Sequence, residues 1–376
     1  MKSFNHTISP TLSSNALLEA TIQNLRFPLI VCVVYIHSTV YGVSDDFVLY
    51  NSIYYLFSGL ITQIAVPLFF FISGYLFFYK LDGRFSSTIY IRKINKRIKT
   101  LLIPYVVWNV AVTLLFLFMQ SFFPQLITGN NRTHKLVSDY NMLDWIYSFW
   151  DTNLINGTTS GQSFPACFQL WFIRDLLVIV LLSPLFYYLI KKIGFILVIS
   201  LGIGWILDLW PPITGFNGFA IFFFSLGAYF SIHQKDFIQL LNPYLKPALL
   251  TYTIGGLFSL YYVDVRSYFY KPLIVIGLMW VIIAVALYLS RKQAKTIPNQ
   301  LTNASFFIYA FHAIPVLYLN KMLCKIVEPM SDVKALLIYL FGPLIIITSS
   351  ILIYLFLHKV SPSFTSLITG GRSSKR

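Results

Sequence analysis

One arginine and one histidine share the apolar stretch NLRFPLIVCVVYIHS, residues 24–38. Histidine titrates near neutral pH, so His37 could take a proton from a hydroxyl or carry an acyl group covalently. Arg26 is permanently charged and suited to binding an anion such as phosphate. Arg26 could instead be a residue at the membrane surface, and His37 a hydrogen-bonded packing residue. Because both side chains are costly in so apolar a segment, we interpret them together as functional.

A second group of ionisable residues lies later in the chain. Arg174 and Asp175 are adjacent in an apolar segment. Neighbouring helical residues point about 100° apart, so we expect each to pair with another helix. Asp175 could orient the His37 imidazole as a catalytic residue, and Arg174 could bind a substrate hydroxyl, or the two could be a structural pair. Tyr309 and His312 lie one helical turn apart in another apolar segment.

The composition places these residues in a membrane protein. Of 376 residues, 57% are hydrophobic and only 11% are charged, which is far from the range of soluble globular proteins. The net charge of +15 does not indicate nucleic acid, because the basic residues lie between apolar segments rather than on one soluble face. The three cysteines are widely spaced and match neither a disulfide framework nor a metal site. We therefore predict no metal.

Ten apolar runs have roughly the length of a membrane-spanning helix, about 17 to 25 residues. They are residues 25–42, 56–79, 100–123, 168–190, 194–210, 216–233, 248–264, 272–290, 304–323 and 335–358. Lys and Arg clusters follow the even-numbered runs, so the positive-inside rule predicts ten spans with both termini in the cytoplasm. The polar N-terminus lacks the pattern of a cleavable signal peptide. We therefore expect a cytoplasmic tail (1–22), a membrane domain (23–358) and a basic cytoplasmic tail (359–376).

The spacing of Arg26 and His37 has a geometric meaning on a helix. Eleven residues correspond to three turns plus about 20°, so on one regular helix both side chains would share a face about 16 Å apart along the axis. With the N-terminus inside, Arg26 would lie at the cytoplasmic surface and His37 in the outer half of the bilayer. The spacing thus predicts an anion site leading to a buried base.

Five stretches resemble the acyltransferase 3 family. An Arg followed by ten residues and a His occurs in the first membrane helix, as in Arg26 and His37. The other stretches are VPLFFFISGYLF (66–77), RKINKRIKTLLIPYVVW (92–108), LWFIRDLL (170–177) and SFFIYAFHAIP (305–315). They occur in family order, and the resemblance extends from about residue 22 to 358. Asn24 stands near the place where the family often has an acidic residue, which weakens the case for a local ion pair.

The resemblance implies an all-α, polytopic enzyme of the bacterial inner membrane. Such an enzyme transfers an acyl group, most often acetyl, from cytoplasmic acyl-CoA to a hydroxyl of a surface polysaccharide or glycolipid. The expected partners are therefore a carbohydrate acceptor and membrane lipid. The main alternative is a transporter of polysaccharide or lipid-linked sugar. A transporter would show internal repeats or broken helices in matching halves, and the sequence shows no such symmetry.

The resemblance also assigns residues. The family's Arg and His correspond to Arg26 and His37, and its basic motif to three residues that would bind the phosphates of CoA: Arg92, Lys96 and Arg97. Dense positive charge after the second apolar run would attract those phosphates, although the same charges would also fix the orientation of the chain in the membrane. Tyr309 and His312 are expected to line the interior of the bundle, where they could bind the acceptor.

Overall fold

The structure is a computed structural model that describes residues 14–81, 85–124, 135–157, 163–262, 266–291, 294–329 and 331–371. Within these ranges the regular elements are helices, and no residue is in a β-strand, which confirms the all-α fold class for this part of the chain. The α-helices are α1 (Ser14–Ile36), α2 (Val48–Tyr54), α3 (Ala65–Phe78), α4 (Ser87–Arg97), α5 (Ile103–Phe122), α6 (Met142–Ser148), α7 (Asn153–Asn156), α8 (Trp171–Leu181), α9 (Ser183–Ile193), α10 (Phe195–Ile206), α11 (Gly218–Ile232), α12 (Phe237–Leu241), α13 (Leu245–Tyr261), α14 (Arg266–Leu289), α15 (Asn299–Phe311), α16 (Ala313–Val327), α17 (Asp332–Val360) and α18 (Pro362–Thr369).

Several helices are long and apolar enough to cross a membrane. Five stretches among the described residues meet both conditions: Ala16–Ile36, Val48–Phe78, Ser87–Phe122, Arg266–Leu289 and Asp332–Val360. Two bent helix pairs raise the number of candidate spans to as many as seven. Each of the ten predicted apolar runs overlaps a helix, but α10 and α11 have only 12 and 15 residues. Ten spans and cytoplasmic termini therefore stay predictions.

Both bent pairs occur at prolines. The helix Phe168–Leu181 and α9 meet at 67°, and α15 and α16 meet at 70°. Pro184 and Pro315 lie within the first turn of the second helix of each pair. Proline lacks an amide hydrogen and its ring clashes with the carbonyl four residues earlier, which favours a bend, although Pro28, Pro272 and Pro343 lie inside helices that continue past them. The apolar runs predicted at 168–190 and at 304–323 are therefore bent helix pairs in the structure, each of which could still form one span.

The chain divides into two compact units by the contacts among its residues. Unit 1 comprises Met1–Ile72, His233–Ile308 and Ile314–Ile351. Unit 2 comprises Ser73–Ile232, Tyr309–Ala313 and Leu352–Arg376. In unit 1, α1 and α13 both pack against α14. In unit 2, α9 and α10 pack against α11, and α18 packs against α5.

Parts of both predicted tails form helices in the structure. Residues 14–22, predicted as part of a cytoplasmic tail, form the first turns of α1. Residues 362–369, predicted as part of a basic tail, form α18, in which Thr365, Ile368 and Thr369 are buried. The indole Nε1 of Trp108 in α5 donates a hydrogen bond of 2.9 Å to the carbonyl of Ile368.

A single glycine in α3 tests the packing of unit 2. A Cβ atom at Gly74 would lie 2.0 Å from the carbonyl oxygen of Phe224, far inside van der Waals contact. We expect Gly74→Ala to lower the free energy of unfolding by about 1–3 kcal/mol, the usual range for overpacking. Thermal unfolding in detergent would measure the loss. Gly204→Ala is the matched control, because a Cβ there has nothing within 4 Å; equal effects of the two substitutions would contradict this packing.

Candidate functional site

His37 lies directly after α1 rather than within it. The amide of His37 donates to the carbonyl of Val34 at 3.2 Å, and the amide of Ser38 donates to that of Tyr35 at 3.1 Å. Both bonds span three residues, so the last turn is tighter than an α-helix. The following STVYG contains β-branched residues and Gly42 at φ 75°, none of which favours a helix. The predicted helix over 25–42 is therefore corrected to Ser14–Ile36, and the argument that a single regular helix places both side chains on one face does not hold.

Arg26 lies midway along the first candidate span, Ala16–Ile36, and not at its end. Its side chain is exposed, and it makes no hydrogen bond or ion pair with any described residue. Glu19 and Gln23 are also exposed and, at spacings of seven and three residues from Arg26, lie on the same face of α1. A face in contact with lipid chains would be apolar. This polar face is therefore suited to water or a polar ligand.

Asn24 and Gln23 connect α1 to the segment that precedes α15. The Asn24 side chain accepts a 2.7 Å hydrogen bond from the amide of Ile297 and donates one of 2.8 Å to the carbonyl of Ala20. Gln23 donates a 2.9 Å bond to the side chain of Asn299. A carboxylate could not donate to Ala20, so the asparagine found in place of an acidic residue suits these partners.

Ser58 supports the end of α1 next to His37. It lies in a π-helical turn, Tyr55–Ile61, of a kind that is frequent at functional sites. Its hydroxyl donates a 2.9 Å bond to the carbonyl of Tyr35. The hydroxyl oxygen of Tyr339 lies 2.6 Å from Oγ of Ser58. Because the Ser58 proton is already donated, Tyr339 is the donor in the second bond. Sequence analysis missed Ser58 and Tyr339, because no local pattern marks a π-helical turn.

Arg174 and Asp175 pair with each other in unit 2. The Nε and Nη2 atoms of Arg174 both lie 2.9 Å from Oδ1 of Asp175, and both residues are buried. The expectation that each would pair with another helix is wrong, because it considered only the directions of the Cβ atoms. The long arginine side chain folds back to its neighbour. Oδ2 of Asp175 makes no hydrogen bond with a described residue, so it is the oxygen that a catalytic role would use.

The same guanidinium holds part of the long loop between α5 and α8, which contains the short helices α6 and α7. Nη1 of Arg174 donates to the carbonyl of Trp150 at 2.6 Å and to the hydroxyl of Ser163 at 2.8 Å. The centre of the guanidinium also lies 5.6 Å from the centroid of the Trp150 ring. These contacts use most of the arginine's donors, so a substrate-binding role for Arg174 would act largely through the loop that it positions.

The pair can be tested by stability. We expect Arg174→Met to lower the free energy of unfolding by about 3–5 kcal/mol, because it leaves a buried carboxylate without its counter-charge. The double substitution Arg174→Met with Asp175→Leu should be less damaging, since it removes both charges. Thermal unfolding of the two variants in the same detergent measures the difference. A double variant less stable than the single variant would contradict the buried pair.

Tyr309 and His312 lie together at the break between α15 and α16. His312 is fully buried, and its Nδ1 lies 2.8 Å from the carbonyl of Tyr309. The Tyr309 hydroxyl donates a 2.5 Å bond to the backbone carbonyl of Gln169, and the Gln169 amide donates a 2.6 Å bond to the carbonyl of Ala310. A broken helix leaves its last carbonyls without partners. The side chains of His312 and Gln169 provide partners for the carbonyls of Tyr309 and Ala310. Sequence analysis missed Gln169, a polar residue immediately before the LWFIRDLL stretch.

The predicted basic cluster forms an amphipathic surface helix, α4. Ser86 caps its start by accepting a bond from the amide of Ile89, and the helix continues through a π-helical turn, Ile98–Leu102, into α5. Arg92 and Lys96 are four residues apart on one exposed face and make no ion pair with a described residue. Arg97 is half-buried. Arg84, a further cation between the second apolar run and α4, lies outside the described residues.

One comparison with known proteins gives a result. A family model described as an acyltransferase domain matches residues 19–355, nearly the whole chain. The matched range contains every residue discussed above as a candidate for binding or catalysis. Neither the curated proteins nor the solved structures contain a match.

Proposed function

Because the chain belongs to the acyltransferase 3 family, we propose that it is an O-acetyltransferase that moves an acetyl group from cytoplasmic acetyl-CoA to a carbohydrate hydroxyl. The acceptor would be a surface or exported polysaccharide or glycolipid, and the membrane would be a bacterial inner membrane. One observation carries the proposal beyond the family: Arg26, midway along an apolar span, is exposed and unpaired among the described residues. An unpaired cation at such a position is expensive unless it meets water or an anion, and acyl-CoA carries phosphates.

The reaction assigns His37 as the base. Its imidazole takes the proton from the acceptor hydroxyl while the hydroxyl oxygen attacks the thioester carbonyl carbon. The carbon–sulfur bond then breaks, and CoA leaves as a thiolate that takes up a proton. In the alternative route, the imidazole attacks first and the hydroxyl then attacks an acyl-histidine. Both routes form one ester and consume one thioester.

The remaining candidates have roles in binding or, for Asp175, in proton transfer or orientation. Arg92, Lys96 and Arg97 are proposed to hold the CoA phosphates, a role supported by the exposed and unpaired Arg92 and Lys96. Tyr309 and His312 are proposed to contribute to the acceptor site. Asp175 is proposed as an acid–base or orienting group through its second carboxylate oxygen.

A sugar transporter is the second candidate, and the bent helices favour it. Discontinuous helices are typical of transporters that bind substrate at the bilayer midplane. In those proteins, however, the broken helices occupy matching positions of internal repeats, and this sequence shows no repeat. Each bend here has a proline in the first turn of its second helix, and the family match favours the enzyme.

Incubation of the purified protein with labelled acetyl-CoA distinguishes the two functions. An acetyltransferase releases free CoA thiol, faster when a suitable sugar is present, and transfers the label to that sugar. A protein that neither binds CoA nor consumes the thioester would favour the transporter.

The proposed use of cytoplasmic acyl-CoA also predicts a topology. Single cysteines at residues 92 and 135, in a chain without its three native cysteines, should react with an impermeant reagent from opposite sides of the membrane. Position 92 is expected inside and position 135 outside; Lys292, expected inside, lies outside the described residues. Labelling of 92 and 135 from the same side would contradict the ten-span arrangement.

A further inference from the structure

Asn320 joins the segment that carries His37 to α16. It is fully buried, and its amide nitrogen Nδ2 donates one hydrogen bond of 3.1 Å to the hydroxyl of Ser38 and another of 3.1 Å to the carbonyl of Thr39. These acceptors are the two residues that follow His37. A single side chain thus holds the backbone and the side chain immediately after the imidazole.

The hydrogen bonds continue into α17. The Ser38 hydroxyl accepts a bond from Asn320 and donates one of 3.5 Å to the carbonyl of Tyr339. On the other side of His37, the hydroxyl of Tyr35 donates a 2.9 Å bond to the carbonyl of Leu340. His37 is therefore flanked on both sides by residues anchored to α17, although it lies outside the regular helix.

Asn320 is itself held by close packing. A Cβ atom at Gly342 of α17 would lie 2.2 Å from Oδ1 of Asn320, so only glycine leaves room for the amide. Oδ1 has no hydrogen-bond partner among the described residues. The orientation of the Asn320 amide is therefore fixed by the two bonds of Nδ2 and by the contact with Gly342.

We infer that Asn320 is a positioning residue that sets the place of the His37 imidazole through Ser38 and Thr39. The inference rests on the proposed function, in which His37 is the base or the nucleophile. A buried amide in an apolar helix is unfavourable unless its hydrogen bonds are needed. Asparagine supplies two N–H donors at one point, whereas aspartate supplies none and leucine removes the polar group altogether. Loss of the amide leaves Ser38 and Thr39 without these donors, so the backbone next to the imidazole is no longer held in place.

A double-mutant cycle in acyl transfer tests this role. We expect Asn320→Ala to lower kcat by about tenfold, because a catalytic group displaced by a fraction of an ångström loses that order of rate. The affinity for acetyl-CoA should not change. In a His37→Ala background the same substitution should change the residual kcat by less than about twofold, since a residue that acts through His37 has nothing left to position. An equal loss in both backgrounds would overturn the inference and leave the proposed function intact.

A second measurement does not depend on activity. Diethyl pyrocarbonate modifies unprotonated imidazole, and mass spectrometry of peptides gives its rate at each histidine. Asn320→Ala should change the rate at His37 by about threefold or more, while His233 serves as an internal reference. An unchanged labelling rate at His37 would overturn the inference. Activity of His37→Ala would instead contradict the proposed function, and the labelling result would still test the inference.

Folding is controlled with two further variants. Gly342→Ala displaces the Asn320 amide without removing a polar group, so it should reproduce the change in kcat and in His37 labelling. Met322→Ala, at an exposed position of α16, the helix that carries Asn320, should affect neither kcat nor the labelling of His37. If Gly342→Ala leaves both readouts at the wild-type values while its thermal unfolding is also unchanged, the contact with Asn320 does not position His37.

Discussion

His37→Ala is expected to lower acyl transfer by about 10²-fold or more, the scale associated with removing a general base. The substitution removes a side chain that lies after the end of α1, so the helix and the segment anchored by Ser58 and Asn320 should remain. Binding of acetyl-CoA should be unaffected, because Arg26 and the exposed cations of α4 are still present. Turnover and CoA affinity measured on the same preparation separate loss of chemistry from loss of binding.

His312→Ala is the comparison for this variant. His312 is fully buried at a helix break and contacts the carbonyl of Tyr309, so its loss should reduce activity less than the loss of His37 and stability more. If His37→Ala kept turnover near that of the wild type, both the general-base route and the acyl-histidine route would fail. Arg26 and His37 would then be interpreted as packing or membrane-surface residues, as in a transporter.

Neutralisation of the basic helix is expected to have the second large effect. The triple substitution of Arg92, Lys96 and Arg97 by glutamine keeps helix propensity and removes three positive charges. It should weaken acetyl-CoA binding by about tenfold or more, because charge-assisted bonds to phosphate are the stronger class of hydrogen bonds. The preference among acceptor sugars should not change. Titration with CoA at two salt concentrations measures the affinity, and the wild type should show the steeper salt dependence.

Lys191→Gln with Lys192→Gln provides a matched control for charge. These lysines form another basic group, at the end of α9, and their neutralisation should leave CoA affinity unchanged. A correctly inserted triple variant with wild-type affinity would restrict Arg92, Lys96 and Arg97 to a role in topology. A loss of affinity in the control as large as in the triple variant would mean that overall charge, and not this helix, attracts the cofactor.

The features that local sequence determines could be predicted. Long apolar runs indicated the membrane helices, and five motifs in order indicated the family that the match over residues 19–355 confirms. The basic cluster could be located because charge is visible residue by residue. The two bends were missed although Pro184 and Pro315 were visible, because apolar composition alone was used to mark each span.

Contacts distant in sequence could not be predicted. The bond from Asn320 to Ser38 joins residues 282 positions apart, and that from Gln169 to Ala310 joins residues 141 apart. Nothing near Ser38 indicates its partner, because hydrogen bonding of this kind depends on which helices come together. The pairing of Arg174 with Asp175 was not predicted for another reason. Backbone geometry predicts the direction of a Cβ atom but not how a long side chain folds back.

The packing of α18 on α5 has a consequence for biosynthesis. Trp108 and Ile368 are 260 residues apart, and Gly370, with φ 68°, leaves no room for a Cβ next to the carbonyl of Thr100 in the turn between α4 and α5. A ribosome adds about 5–20 residues per second, so α5 leaves the ribosome well before α18, which packs against it, is made. A nascent chain with all its charged residues of α4 in place would still lack this support. The packing around Trp108 and Thr100 is therefore completed only after α18 has been made, and a chain stalled after α17 would lack it.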